Sequence, residues 1–185
     1  MKYFIITKKH ITVFACVLLS LAVILVGSVS VFANTEKLLP IYCVETEKKQ
    51  IAISFDAAWG NDDTETLIEI LKEYDVPATF FVVGAWVDKY PESVKALSDA
   101  GHQIQNHSNT HPYMSSLSGE QMCNELDACN KKIESVTGVC PTLFRPPYGD
   151  YSNSVIENVG NSEMYAIQWS IDSLDWKDLS ATEIT

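Results

Sequence analysis

Residues 51–83 read IAISFDAAWGNDDTETLIEILKEYDVPATFFVV, and their periodicity decides the fold class. Ile51–Phe55 is a short apolar run with strand character. Thr64–Tyr74 then places Leu67, Ile68, Leu71 and Tyr74 at helical spacing on one face. Pro77 interrupts the helix pattern, and Ala78–Val83 is β-branched and aromatic, a second strand. Strand, helix, strand at this spacing is one βαβ unit, which requires parallel pairing.

Working outward, the alternation continues. Pro91–Ala100 predicts a helix stopped by Gly101, His102–Gln105 a third strand, and Thr142–Phe144 a fourth. Between them Ser118-Gly-Glu-Gln121 has the form of a capping box, opening a helix that runs to about Val136 and stops at Gly138. A helix near Ser154–Val159 and a fifth strand at Tyr165–Ile171 follow. Ser180-Ala-Thr-Glu183 repeats the capping signature. A parallel sheet covered by helices, open or closed into a barrel, is the expected α/β architecture.

Upstream, residues 34–50 read as a polar linker. Residues 1–33 read as a targeting segment, because Lys2, Lys8 and Lys9 precede an uncharged apolar run from Ile11 to Phe32. Val31-Phe32-Ala33 offers a small-x-small cleavage pattern before Asn34, while about 20 apolar residues also suffice to span a bilayer. A cleaved signal peptide and a signal anchor both remain open. Either places the acidic domain, residues 51–185, outside the cytoplasm, secreted or membrane-anchored through the N-terminal segment. The formal net charge of -11 repels phosphate backbones, so a nucleic-acid partner is disfavoured. The 5 cysteines include no C-x-x-C pair, and the default is small buried hydrophobes, with a pairing such as Cys43–Cys140 left open.

In parallel α/β folds chemistry collects at the carboxyl ends of strands. Four such ends carry unusual polar residues here. Asp56 closes the first strand, where a carboxylate can act as a general base or metal ligand, or simply cap the next turn. His107 and His111 follow the third strand; at i and i+4 on a helical turn two imidazoles can clamp one ion, though a surface or core pair is an equal alternative. The segment is not H-E-x-x-H, so peptidase chemistry is disfavoured. Arg145-Pro146-Pro147-Tyr148-Gly149 follows the fourth strand as a stiff loop presenting a fixed charge. Asp172-Ser173-Leu174-Asp175-Trp176 follows the fifth, an acid beside an aromatic suited to stacking on a sugar or to packing in a core.

These blocks, taken together, resemble the NodB-type polysaccharide deacetylases of carbohydrate esterase family 4, from about Ile51 onward. The Phe-Asp-x-x-Trp-Gly form of the first block is similar to the membrane-anchored branch associated with sporulation. The resemblance implies a distorted (β/α) barrel and a hydrolase that removes N-acetyl groups from a cell-wall glycan, peptidoglycan-like or chitin-like. It implies Asp56 as base, Arg145 as its orienting partner, and the Tyr148 N–H as an oxyanion donor. It also implies Asp175 in the catalytic set, Pro147 and Trp176 lining the substrate groove, and His107 and His111 holding a divalent metal, zinc in the first instance. Two departures stand out. The family's second aspartate is Ala57 here, so that either water fills the place, Asp62 or Asp63 folds back to reach the ion, or metal binding is weak. No counterpart of the family's fifth block, with its general-acid histidine, occurs before Thr185. The expectation is a barrel incomplete at its C-terminus and, since a general acid supplies roughly 10²–10⁴ in rate, a crippled enzyme. The alternative is a non-catalytic, membrane-anchored wall-binding protein on the same fold.

Overall fold

The computed structural model describes residues 7–32, 36–177 and 179–184, with the backbone alone for 23–32. The chain divides into two compact units, Met1–Lys37 and Leu38–Thr185. In the first, helix α1 spans Lys8–Phe32. Among the described residues no helix is long and apolar enough to cross a membrane. Ala33 and Asn34, around which the expected cleavage site falls, lie outside the described residues.

The second unit is a parallel sheet. Its strands are β1 (Ile53–Ala57), β2 (Ala78–Val82), β3 (Gln103–Asn106), β4 (Leu143–Phe144) and β5 (Tyr165–Ala166). They lie side by side in chain order, and every pairing is parallel. Sequential order means each crossover steps the same way, the winding of a barrel wall rather than of a doubly wound sheet. The α/β expectation holds, with a parallel sheet of five strands among the described residues.

Five helices of this unit are α2 (Thr64–Glu73), α3 (Gly84–Lys89), α4 (Pro91–Asp99), α5 (Gly119–Thr137) and α6 (Asn153–Asn161). A short α7 (Ala181–Ile184) follows Ser180, whose N–H and hydroxyl both donate to Glu183 Oε2, one half of the expected capping box. α5 has the expected capping box between Ser118 and Gln121 and stops at Gly138 in the left-handed conformation, φ 74°. That stop favours glycine because it has no Cβ to collide with the preceding carbonyl. One face of α5 buries Met122, Leu126, Cys129 and Ile133, each hydrophobe contributing about 1.5–3 kcal/mol of transfer free energy. Those residues join two core clusters, one with Phe80, Val82, Val94 and Leu97, the other with Phe144, Val155 and Val159.

Several expectations are corrected. Tyr74 is not on the buried face of α2 but caps its end, 69% exposed. α3 was not legible: it starts directly from β2 at Gly84, with no side-chain cap to announce it. The fifth strand is far shorter than Tyr165–Ile171. Its outer rung is supplied by the lead-in, where Ile41 N–H donates to the Ala166 carbonyl and the Gln168 N–H to the Ile41 carbonyl, both at 2.8 Å. Beyond that rung the backbone has no ladder partner among the described residues, and it bends at Ser170 and Ile171. The lead-in therefore extends the sheet at one point instead of running free of it. All 5 cysteines are free thiols; Cys129 is buried, but Cys43 and Cys140 are exposed, against the default of buried hydrophobes.

Candidate active site

Three strand ends converge. β1 and β2 align so that Asp56 stands beside Phe81, and β3 delivers Asn106 opposite Phe144 of β4. The residues that follow, His107 and Arg145, are anchored by continuations of the ladder: His107 N–H donates to the Val82 carbonyl at 3.0 Å, and Arg145 N–H to the Asn106 carbonyl at 2.9 Å. Both side chains are buried, while Asp56 keeps 36% of its side chain open to solvent.

Arg145 is the hub. One terminal nitrogen donates to Asp56 Oδ1 at 2.7 Å and the other to Ser54 Oγ at 2.7 Å. Its guanidinium lies 4.1 Å above the Phe81 ring, where a flat cation is attracted to the π face. Its backbone carbonyl accepts from His107 Nδ1 at 2.7 Å. An imidazole nitrogen facing a carbonyl must carry the proton, so the His107 Nε2 lone pair is left facing Asp56 Oδ2, 3.7 Å away.

His111 joins them by a route different from the expected helical turn. Residues 107–111 form no helix; Ser108 and His111 adopt left-handed φ values of 66° and 62°. Ser108 Oγ accepts the His111 N–H at 3.0 Å, and Glu125 of α5 accepts the N–H groups of Asn109 and Thr110, both at 2.8 Å. The loop thus curls back, bringing the imidazoles to 5.0 Å between ring centroids. Asn106, fully buried, completes the support: its Oδ1 accepts the Ser108 N–H at 2.7 Å while its Nδ2 donates to the Leu126 carbonyl at 2.9 Å and to Asn130 Oδ1 at 2.6 Å.

Tyr148 sits in the 3₁₀ turn Pro147–Gly149 with φ 59°, its ring 4.6 Å from that of His111. Among the described residues its backbone N–H donates to nothing, which suits an oxyanion donor. Pro147 is buried beneath this turn, and Gln168 Nε2 ties the turn down through the Gly149 carbonyl at 3.0 Å.

Asp175 and Trp176 are not brought to this cluster. Both are exposed, Asp175 accepting a 2.9 Å hydrogen bond from Ser173 and Trp176 carrying Lys177 over its ring; neither contacts Asp56, His107, His111 or Arg145 among the described residues. The aromatic near the arginine is instead Trp169, 5.6 Å from its guanidinium. The metal set also falls short of expectation. Ala57 offers no donor, Asp63 stands at the start of α2, and Asp62 lies exposed in the preceding turn. The described residues contain no group of three or more His, Cys, Asp or Glu side chains placed to hold an ion. Two imidazoles alone do not make the usual closed or three-ligand zinc site.

Burial lowers the basicity of both histidines. His107 is held below the ordinary imidazole value mainly by desolvation, against a smaller pull from Asp56. His111 is lowered to about 4 by desolvation and by its neighbour His107. An unfolded chain takes up these protons near pH 6.5, about the free-histidine value, whereas the folded chain resists until lower pH. Stability should therefore be full above that value and fall as the pH drops toward 4. Urea midpoints measured at pH 7.5 and pH 5 are expected to be lower at pH 5, and equal midpoints would contradict the buried neutral assignment.

Comparison with known proteins supplies the remaining context. The polysaccharide deacetylase family profile matches residues 44–167. The chain belongs to the polysaccharide deacetylase family. A peptidoglycan-N-acetylglucosamine deacetylase of Bacillus cereus is 30% identical over 159 residues, covering 86% of this chain and 58% of that protein. The YlxY protein of Bacillus subtilis is 37% identical over 138 residues, covering 75% of this chain and 43% of the relative. Among solved structures, BA3943, a carbohydrate esterase family 4 pseudoenzyme from Bacillus anthracis, superposes with a TM-score of 0.77 at 35% identity, covering 79% of this chain and 52% of that one. The chain thus spans about half the length of the relatives it matches.

Sequence reasoning missed Ser54, Phe81 and Glu125. Ser54 precedes Asp56 by two, so the period-2 rule puts both on one face and could have flagged it. Glu125 had no such signal, being 15 residues from Thr110 on another element.

Proposed function

We propose that this domain removes N-acetyl groups from a cell-wall polysaccharide, and that it does so outside the cytoplasm, secreted or tethered through residues 1–33. The observation that carries the reading is the meeting of Asp56, Arg145 and His107 at one rim. A carboxylate aimed by a buried arginine is a positioned base: Asp56 takes a proton from water as it attacks the acetyl carbonyl. The free Tyr148 N–H donates to the developing oxyanion. Among the described residues, His107 and His111 are the donors that would hold a divalent ion such as zinc, and two imidazoles would hold it weakly. The sporulation branch stays part of the proposal on the Phe55-Asp56-Ala57-Ala58-Trp59-Gly60 block.

A second reading, a non-catalytic wall-binding protein, draws support from Ala57, from the incomplete donor set and from the resemblance to a pseudoenzyme, of which a mutant has restored enzymatic activity. Acetate release from N-acetylglucosamine oligomers and from peptidoglycan, with and without added Zn²⁺, separates the two. The expected result is slow release that His107→Ala abolishes and Ala57→Asp raises. No release from the native chain at any Zn²⁺ concentration, with glycan still bound, would leave the second reading standing.

A further inference from the structure

The histidine loop is gripped from two sides. On one side α3 takes its carbonyls: Gly84 N–H donates to Ser108 and Ala85 N–H to Asn109, both at 2.9 Å. The approach needs glycine, because a Cβ at residue 84 would lie 2.5 Å from Asn109 Oδ1 and 3.1 Å from its Cα. On the other side Glu125 of α5 takes the N–H groups. Its Oε2 accepts from Asn109 and Thr110, and its Oε1 from the Thr110 hydroxyl, all at 2.8 Å. Successive N–H groups beside a left-handed residue, here Ser108, make a concavity that binds an anion. Glu125 supplies that anion from within the chain. Hydrogen bonds to an ionised acceptor are about twice as strong as neutral ones. The bonded pair sits between the two left-handed residues, Ser108 and His111, and such conformations persist only where their surroundings over-determine them.

We propose that Glu125 is a positioning residue of this site: its carboxylate fills the backbone concavity at Asn109 and Thr110 and so fixes the His111 imidazole against His107. The inference rests on the deacetylase reading of the site and deepens it. Among the described residues Glu125 bonds to the loop and to none of Asp56, His107, His111 or Arg145, so it acts through the main chain. The next residue on α5, Leu126, accepts from Asn106 Nδ2 through its carbonyl, as does Asn130 through Oδ1. One stretch of α5 thus sets the start of the loop through Asn106 and its far part through Glu125. Without the carboxylate the N–H pair turns to water, and His111 relaxes to an ordinary φ that swings its ring away. A misplacement of about 1 Å can cost roughly 10²-fold in rate.

Nuclear magnetic resonance of the full chain, labelled in its histidine rings, reads this placement without turnover. The His111 ring lies 4.6 Å from that of Tyr148 and 5.1 Å from that of Trp59, so its ring-current shift reports displacement. Spectra are recorded below the melting temperature of each variant, so lost stability alone moves nothing. Glu125→Ala is expected to shift the His111 signals and to lose the His107–His111 ring contact that their 5.0 Å spacing gives. Glu125→Gln should keep both, since its amide oxygen still accepts the two N–H groups. Lys132→Ala, which breaks the 2.6 Å pair between α5 and Asp88, should change neither. In acetate release, kcat should fall roughly ten- to hundred-fold in Glu125→Ala with KM little changed, and Glu125→Gln should restore it. Should Glu125→Ala not fold, Glu125→Asp, one methylene too short to meet the loop in its native place, carries the same expectation. Native His111 signals in either shortened variant, equal displacement in Glu125→Gln or Lys132→Ala, or a kcat that survives Glu125→Ala would overturn the proposal. Displaced His111 signals in a chain that releases no acetate would sustain the clamp while removing the deacetylase reading.

Discussion

Asp56→Asn is expected to lower kcat for acetate release by roughly 10²–10⁴, the usual contribution of a positioned general base. The change removes one function and leaves the scaffold. An amide oxygen at the same place still accepts the Arg145 hydrogen bond that now measures 2.7 Å, and Ser54 continues to hold the second guanidinium nitrogen. What disappears is the basic lone pair directed at water. KM should move little, because the base acts on the attacking water and not on the remainder of the glycan. Rates with the N-acetylglucosamine pentamer, measured beside thermal melts, check this. A variant with native kcat would show that Asp56 is not the base.

Asn106→Leu is expected to cost about 2–6 kcal/mol of stability. Leucine keeps the branched shape and is the larger side chain, so the loss does not come from a cavity. It comes from polar groups that lose a partner, the Ser108 N–H and Asn130 Oδ1, while the Leu126 carbonyl keeps its bond within α5. Each buried group left unsatisfied costs about 1–3 kcal/mol. Against a total stability of about 5–15 kcal/mol for a domain, the variant should be unfolded or nearly so at 37 °C. Urea denaturation followed by circular dichroism gives the number, and a loss below about 1 kcal/mol would mean that water or a side-chain shift replaces the amide. The same amide supports the backbone between His107 and His111, so the geometry of the histidine pair should degrade before the fold does in milder variants such as Asn106→Ser.

What could be read in advance followed from local rules. Short apolar, β-branched runs located the strands, the Ser118/Gln121 box located the start of α5, and strand ends pointed to Asp56, His107 and Arg145. Those rules act within a few residues, where chain geometry leaves few choices. They failed where a distant element decides the outcome. The curl of residues 107–111 depends on Glu125 and Asn106, so helical spacing brought the right histidines together for the wrong reason. The fifth strand was over-extended because its pairing depends on Ile41, more than a hundred residues upstream. The placement of Asp175 and Trp176 at the site came from family resemblance, and these residues stand exposed here.

Ser108 and His111 hold dihedral angles that side chains other than glycine and asparagine adopt at a cost of about 1–3 kcal/mol each. A library screened only for heat resistance would therefore drift toward glycine at these two positions. Its winners would gain thermal tolerance by discarding the hydroxyl that holds the loop and one of the two paired imidazoles, so thermostability and the proposed chemistry pull evolution of this loop in opposite directions.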